Sequence, residues 1–182
     1  MPRSKKTSAL LVIDMINAFD FEGGDLLLPR ALRAARAIRK LKERARRARI
    51  PVIYVNDNFG RWRSDFRRVI DHVLDTPGKP VAQMLLPDEE DYFILKPKHS
   101  GFQHTSLSVL LSHLGVRTLV LTGIAAEFCV LFTAHDAYMR EFRLVVPRDC
   151  VASERADAER QALAHMREVT KADTRLSTRV RF

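Results

Sequence analysis

Cysteine is scarce in this 182-residue chain, with only Cys129 and Cys150 present. A secreted domain held by disulfides carries more, at scaffold-like spacing, so a reducing compartment is expected and each thiol is either packed filler or chemistry. Glycine and proline are also few, at 7 and 8, which excludes collagen-like and flexible low-complexity chains. No apolar run approaches the roughly 18 residues that read as a membrane span. The run Ala9 to Ile13 follows a basic start but is closed by Asp14, too short for the apolar region of a signal peptide. The expectation is a cytoplasmic protein with no membrane partner.

Acidic residues are in deficit, 22 against 31 basic, which leaves a net charge of +9. That surplus invites a nucleic-acid partner. However, the chain has no zinc-finger spacing, no RNA-recognition signature and no G-x-x-x-x-G-K phosphate loop. Ten of the basic residues fall between Arg30 and Arg49 against one acid, Glu43. They lie opposite Leu28, Leu32, Ala35, Ile38 and Leu41, so they read as the solvated face of an amphipathic helix. Arg3, Lys5 and Lys6 at one end and Lys171, Arg175, Arg179 and Arg181 at the other supply much of the rest. No nucleic-acid partner is expected. Hydrophobic residues at 46% exclude a disordered chain and suffice for one domain over residues 1–182.

Short apolar runs mark strands at 9–13, 52–55, 92–95, 118–122 and 143–146. Helical spacing marks 27–49, 62–74, a segment from Thr105 closed by Gly115, 127–139, and a last helix to Val169 that Ser153 would cap. The stretch from Pro77–Gly78 to Glu90 reads as irregular, and the tail from Lys171 as an edge strand or subunit contact. Strands alternating with helices imply a parallel sheet covered on both faces, a doubly wound α/β fold.

In such folds ligands bind beyond the carboxyl ends of the strands. There the chain places Asp14, the Asn56–Asp57–Asn58 turn, Lys96, and Gly123 followed by Cys129 at a helix start. An acid, a cation and a thiol thus converge on one rim. An ammonium and a helix N-terminus favour a thiolate. An adjacent carboxylate can accept the thiol proton and pass it to a leaving group. Backbone amides near Ala125 and Cys129 can hold an oxyanion. From spacing alone each residue also has an ordinary reading: a turn cap, a solvated cation, a packed thiol.

The strings VIDMINAF at 12–19, LKPKHSGFQHT at 95–105 and LTGIAAEFCVLFTAHDAYM at 121–139 resemble the isochorismatase-like cysteine hydrolases, which include nicotinamidases and N-carbamoylsarcosine amidases. The resemblance runs from about residue 8 to about residue 155. It implies a Rossmann-like three-layer α/β/α sandwich with a six-strand, mainly parallel sheet. It also implies a catalytic triad of Asp14, Lys96 and Cys129, with Lys96 rather than Lys98 in the V-I-D, K and C pattern. A cis peptide between Ile124 and Ala125 would aim an amide, together with that of Cys129, at the oxyanion. The family's usual dimers or larger assemblies imply a homo-oligomer.

The departures matter as well. Nicotinamidases place D-x-H after the second strand to hold a metal; here NDNFGRWRSDF follows, with no histidine until His72. The six histidines are scattered without metal-ligand spacing, so no metal or other cofactor is expected. Phe19, Asn56, Asn58, Trp62 and Phe128 are the candidates for contact with a small-molecule substrate. Cys150 is taken as structural. The sequence thus points to a metal-independent cysteine hydrolase that cleaves a C–N bond of a small amide, carbamoyl or ureide compound. The alternative reading is an enol-ether hydrolase using Asp14 as acid; less favoured are a basic nucleic-acid-binding protein and a catalytically silent structural subunit.

Overall fold

The structure, a computed structural model, describes residues 8–62 and 65–182. Arg3, Lys5 and Lys6, and residues 63 and 64 of the helix expected from 62, lie outside them. The elements run β1 (Ser8–Ile13), α1 (Gly24–Arg47), β2 (Val52–Asp57), α2 (Phe66–Val73), α3 (Lys79–Met84), β3 (Tyr92–Lys96), α4 (Leu107–His113) and β4 (Thr118–Ile124). A π-helical turn, Ala126–Val130, then leads into α5 (Leu131–Met139), followed by β5 (Arg143–Val145), β6 (Val151–Ala152) and α6 (Ala156–Val169).

Every strand pair is parallel, in the order β3-β2-β1-β4-β5, with β6 pairing the far end of β4 beyond β5. β1 is central. Residues that alternate along it feed two cores. Leu10 and Val12 pack with Ala34, Ala35 and Ile38 of α1, Phe66 of α2 and Val81 of α3. Ala9, Leu11 and Ile13 pack with Leu107 and Leu111 of α4, Ala134 of α5 and Met166 of α6. The result is the three-layer α/β/α sandwich expected, with a sheet that is wholly parallel.

The chain leaves β1 toward β2 on one side and reaches β4 on the other, so the strand order reverses at β1/β4. A crevice opens there. The register sets Ile13 beside both Val55 and Gly123, and Asp57 beside Lys96. Gly123 has φ +119, and a Cβ there would stand 1.9 Å from the Ile13 carbonyl oxygen. Only glycine lets β4 lie this close to β1 where the rim begins.

Several local expectations are corrected. The segment 79–84 is helical rather than irregular: Pro80 sits in its first turn, where its missing N–H costs nothing. Ser153 does not cap α6; Arg155 holds that position without a side-chain bond, and Ser153 donates to Glu127 instead. The tail forms a single bridge, Val145 to Asp173, and one 3₁₀ turn at Ser177–Arg179 rather than an edge strand. Arg44 of α1 holds that turn, donating to the Ser177 carbonyl at 2.7 Å and to that of Val180.

The basic face of α1 is not uniformly solvated either. Lys42 is buried, paired with Asp91 at 2.6 Å and Asp88 at 2.9 Å, and it donates to Tyr54 Oη at 2.8 Å. The Tyr54 hydroxyl in turn donates to the Leu85 carbonyl at 2.7 Å. An ammonium removed from water needs such partners. Among the described residues, no helix is long and apolar enough to cross a membrane.

Candidate active site

Asp14 follows β1 directly, with φ +53. Its amide donates to the Val55 carbonyl at 3.0 Å, which continues the ladder by one residue and turns the carboxylate over the rim. Oδ1 accepts the Asp57 N–H at 2.6 Å, and Oδ2 pairs with Lys96 Nζ at 2.9 Å. Lys96, the last residue of β3, is fully buried. Its Nζ also meets Asp57 Oδ2 at 3.3 Å and Cys129 Sγ at 3.4 Å. An ammonium has three N–H donors, and here three partners take them.

Cys129 lies in the π-helical turn after β4 and is 9% exposed. The Ile124–Ala125 peptide just before that turn is cis. The Ala125 carbonyl accepts from the amides of Phe128 and Val130 at 3.1 and 3.2 Å, which closes the turn. The β3–α4 loop is tied to the same segment. Thr133 Oγ1 donates to the Cys129 carbonyl at 2.6 Å and accepts the Gly101 N–H at 3.0 Å. Ser100 Oγ donates to Asp136 at 2.5 Å. His99, on that loop, brings Nδ1 to 3.9 Å from Sγ.

Burial pushes the Asp14 carboxyl above its usual range, although Lys96 opposes it. Burial also works against the Lys96 ammonium, but the surrounding acidic groups, Asp14 foremost, outweigh it and the pKa is raised. The Cys129 thiol is pushed far up by burial and by the Asp14 carboxylate, against the pull of Lys96. An Asp14–Lys96 ion pair thus lies beside a thiol whose ionisation burial and the Asp14 carboxylate oppose and Lys96 favours.

These groups floor a cleft of about 330 Å³. Asn17, Asp57, His99 and Glu154 supply its other polar walls, and Phe21, Phe59, Phe128, Leu27, Ile124 and Ala125 its apolar ones. Asp14, Cys129, Ile124, Ala125 and Phe128 are thus together, and Phe128 is 51% exposed. Phe19 is not with them: its ring is buried in the core and stacks on Phe21, which does line the cleft. Asn56 is fully buried, and its amide group bonds both the N–H and the carbonyl of Ile16, so it braces the loop behind Asp14. Asn58 and Trp62 line a separate cavity of about 520 Å³ with Arg61, Lys98 and His104, and Trp62 is 81% exposed.

The sequence does not single out Asp57, His99 and Glu154 for these positions. Asp57 has a signal, since it stands one residue beyond Asn56 at a strand end. Its function as a second carboxylate on Lys96 depends on the β2/β3 register. Asp57 faces Lys96, and Phe59 stands two residues on. Among the described residues no three His, Cys, Asp or Glu side chains form a metal-binding group.

The isochorismatase domain family matches residues 8–175 of the chain. The isochorismatase family protein YaaI of Bacillus subtilis is 42% identical over 170 residues, covering 93% of this chain and 94% of that one. A ureidoacrylate amidohydrolase of Caulobacter vibrioides is 30% identical over 169 residues, covering 78% of this chain and 75% of its own. Among solved structures, an N-carbamoylsarcosine amidase from Thermoplasma acidophilum superposes with a TM-score of 0.77 at 32% identity, covering 97% of this chain and 99% of that one.

Proposed function

The chain belongs to the isochorismatase family, and from that premise we propose that it is a cysteine hydrolase cleaving a C–N bond of a small amide, carbamoyl or ureide compound without a metal. One observation carries the reading: a single buried ammonium, Lys96, holds a carboxylate at 2.9 Å and a thiol at 3.4 Å on the floor of one cleft. The named relatives, an amidohydrolase and an amidase, support the reaction class.

In this mechanism Asp14 takes the proton from Cys129 as Sγ bonds to the substrate carbonyl carbon. Lys96 keeps its charge throughout and holds the developing thiolate. The carbonyl electron pair moves onto oxygen, where the amides of Ala125 and Cys129 are the assigned donors. Collapse of the tetrahedral intermediate breaks the C–N bond. Asp14 returns its proton to the departing nitrogen, leaving a thioester. Asp14 then accepts a proton from water as that water attacks the thioester, and the second collapse frees the acid and restores the thiol.

The test is a turnover screen of small amides, carbamoyl compounds and ureides read by ammonia release, with Cys129→Ala beside the native protein. Ammonia release that depends on Cys129 is expected. Full activity in Cys129→Ala would sink the mechanism.

A further inference from the structure

The charge of the cleft runs against the charge of the chain. The chain carries +9. Yet of the groups around the nucleophile, three are carboxylates, Asp14, Asp57 and Glu154, and one is an ammonium, Lys96. Lys96 is used up by Asp14 and Asp57, and no arginine lines the cleft among the described residues. Arg61, on the loop after β2, turns its guanidinium to His72 at 3.3 Å and lines neighbouring cavities instead. Glu154 is different from the two floor carboxylates. It stands against Gly23 at the cleft wall, its carboxylate 2.5 Å from where a Gly23 Cβ would be. It has no cationic partner among the described residues.

The same cleft holds three phenyl rings. Phe21, Phe59 and Phe128 all line the cleft and are 44%, 43% and 51% exposed. Apolar rings and a carboxylate with no cationic partner among the described residues make a poor surface for a substrate carboxylate, which would meet repulsion and, beyond the Asn17 and His99 side chains, no charged donor. They suit an organic cation, which the ring faces attract and the carboxylate neutralises. A cleft lined by one sign of charge also concentrates ligands of the opposite sign.

Resting on the cysteine hydrolase reading, we infer that the substrate is an amide or ureide bearing an ammonium group away from the scissile bond, held by Glu154 and the Phe21–Phe59–Phe128 rings. Glu154 is then the residue that sets selectivity, while Asp14, Lys96 and Cys129 act on the amide.

Two measurements test this and separate it from the parent reading. The first uses methanethiosulfonate reagents of matched size, one with a trimethylammonium and one with a sulfonate tail. Each forms a mixed disulfide with Cys129 as methanesulfinate leaves, and intact mass in a Cys150→Ala background follows the rate. Relative to the same pair on free cysteine, the cationic reagent is expected to be favoured at least tenfold, and Glu154→Gln to reduce that preference severalfold. A preference for the anionic reagent, or none, overturns the inference. The second compares kcat/KM for matched amides with trimethylammonium, tert-butyl and carboxylate tails. The expected order is cation, neutral, anion, compressed by Glu154→Gln and by Phe128→Ala. Fastest turnover of the carboxylate overturns the inference and supports the hydrolase reading. The expected reagent preference with no Cys129-dependent turnover of any amide overturns the hydrolase reading and supports the charge preference of the cleft.

Discussion

Replacing Asp14 with asparagine should move two properties of Cys129 in opposite directions. The Asp14 Oδ2 and Cys129 Sγ atoms lie 2.9 and 3.4 Å from Lys96 Nζ, so at most about 6.3 Å separates them, and at an effective dielectric of about 20 a carboxylate repels a thiolate there by about 2.6 kcal/mol. Asparagine keeps the shape and removes the repulsion, while Lys96 remains beside the sulfur. The thiolate population at neutral pH should rise about eightyfold. A more acidic thiol is a weaker nucleophile, with a slope of about 0.45, which takes back about sevenfold. Alkylation of Cys129 by iodoacetamide, followed by peptide mass, should therefore run about tenfold faster in Asp14→Asn. Turnover should fall by about a hundredfold or more, because asparagine cannot carry the proton. Buried Cys150 supplies an unreactive internal reference. Slower or unchanged alkylation would refute the claim that the Asp14 carboxylate opposes ionisation of the thiol.

Three further expectations rest on other parts of the molecule. Lys42→Met strands the buried Asp91 carboxylate and should cost about 3–5 kcal/mol. That is about 6–20 °C in melting temperature for a chain of this size, so a melt within a degree or two of native would show that the cluster is dispensable. Gly123→Ala puts a methyl 1.9 Å from the Ile13 carbonyl oxygen and should lower the denaturation free energy by about 3 kcal/mol or more; an unchanged denaturant midpoint contradicts the close approach of β1 and β4. His135, whose pKa is lowered by burial and by His165 against Asp136, faces the His165 ring at 3.0 Å between Nε2 atoms. A lowered His pKa means the unfolded chain binds the proton more readily. Stability should therefore fall as pH drops from about 6.5 through the folded value. Melting curves of His135→Gln should lose less over that window, and superimposable pH profiles would count against the pair.

Much of the architecture is legible in the sequence, because buried parallel strands are short unbroken apolar runs and α1 has a clean apolar stripe. What escapes is set by tertiary contacts. β6 has two residues, too few for any pattern. α3 is hidden by the Gly78 and Pro80 that usually break helices, but which here only open one. Lys42 falls on the polar side of a helical wheel, and nothing local shows that Asp88 and Asp91 come over to bury it. At the cleft, Asp14, Lys96 and Cys129 are legible as strand-end residues and from the resemblance. Asn56 and Asp57 are not separable, since alternation shows that they face opposite ways without saying which way is inward. Register against β3 decides it, and Asp57 takes the place beside Lys96 while Asn56 braces Ile16.

That dependence on register has a kinetic side. The contacts on Lys96 and Asp14 span 43, 39 and 33 residues of chain, and each comes from a different strand end. A one-residue slip of β3 against β2 would turn Lys96 to the opposite face of the sheet. No hairpin or single βαβ unit can assemble the cleft, and parallel pairings of this separation form late because chain closure must come first. During refolding, helix content should therefore return well before Cys129 acquires its native reactivity. The thiol thus serves as a built-in clock for the moment when β3, β2, β1 and β4 are all in step.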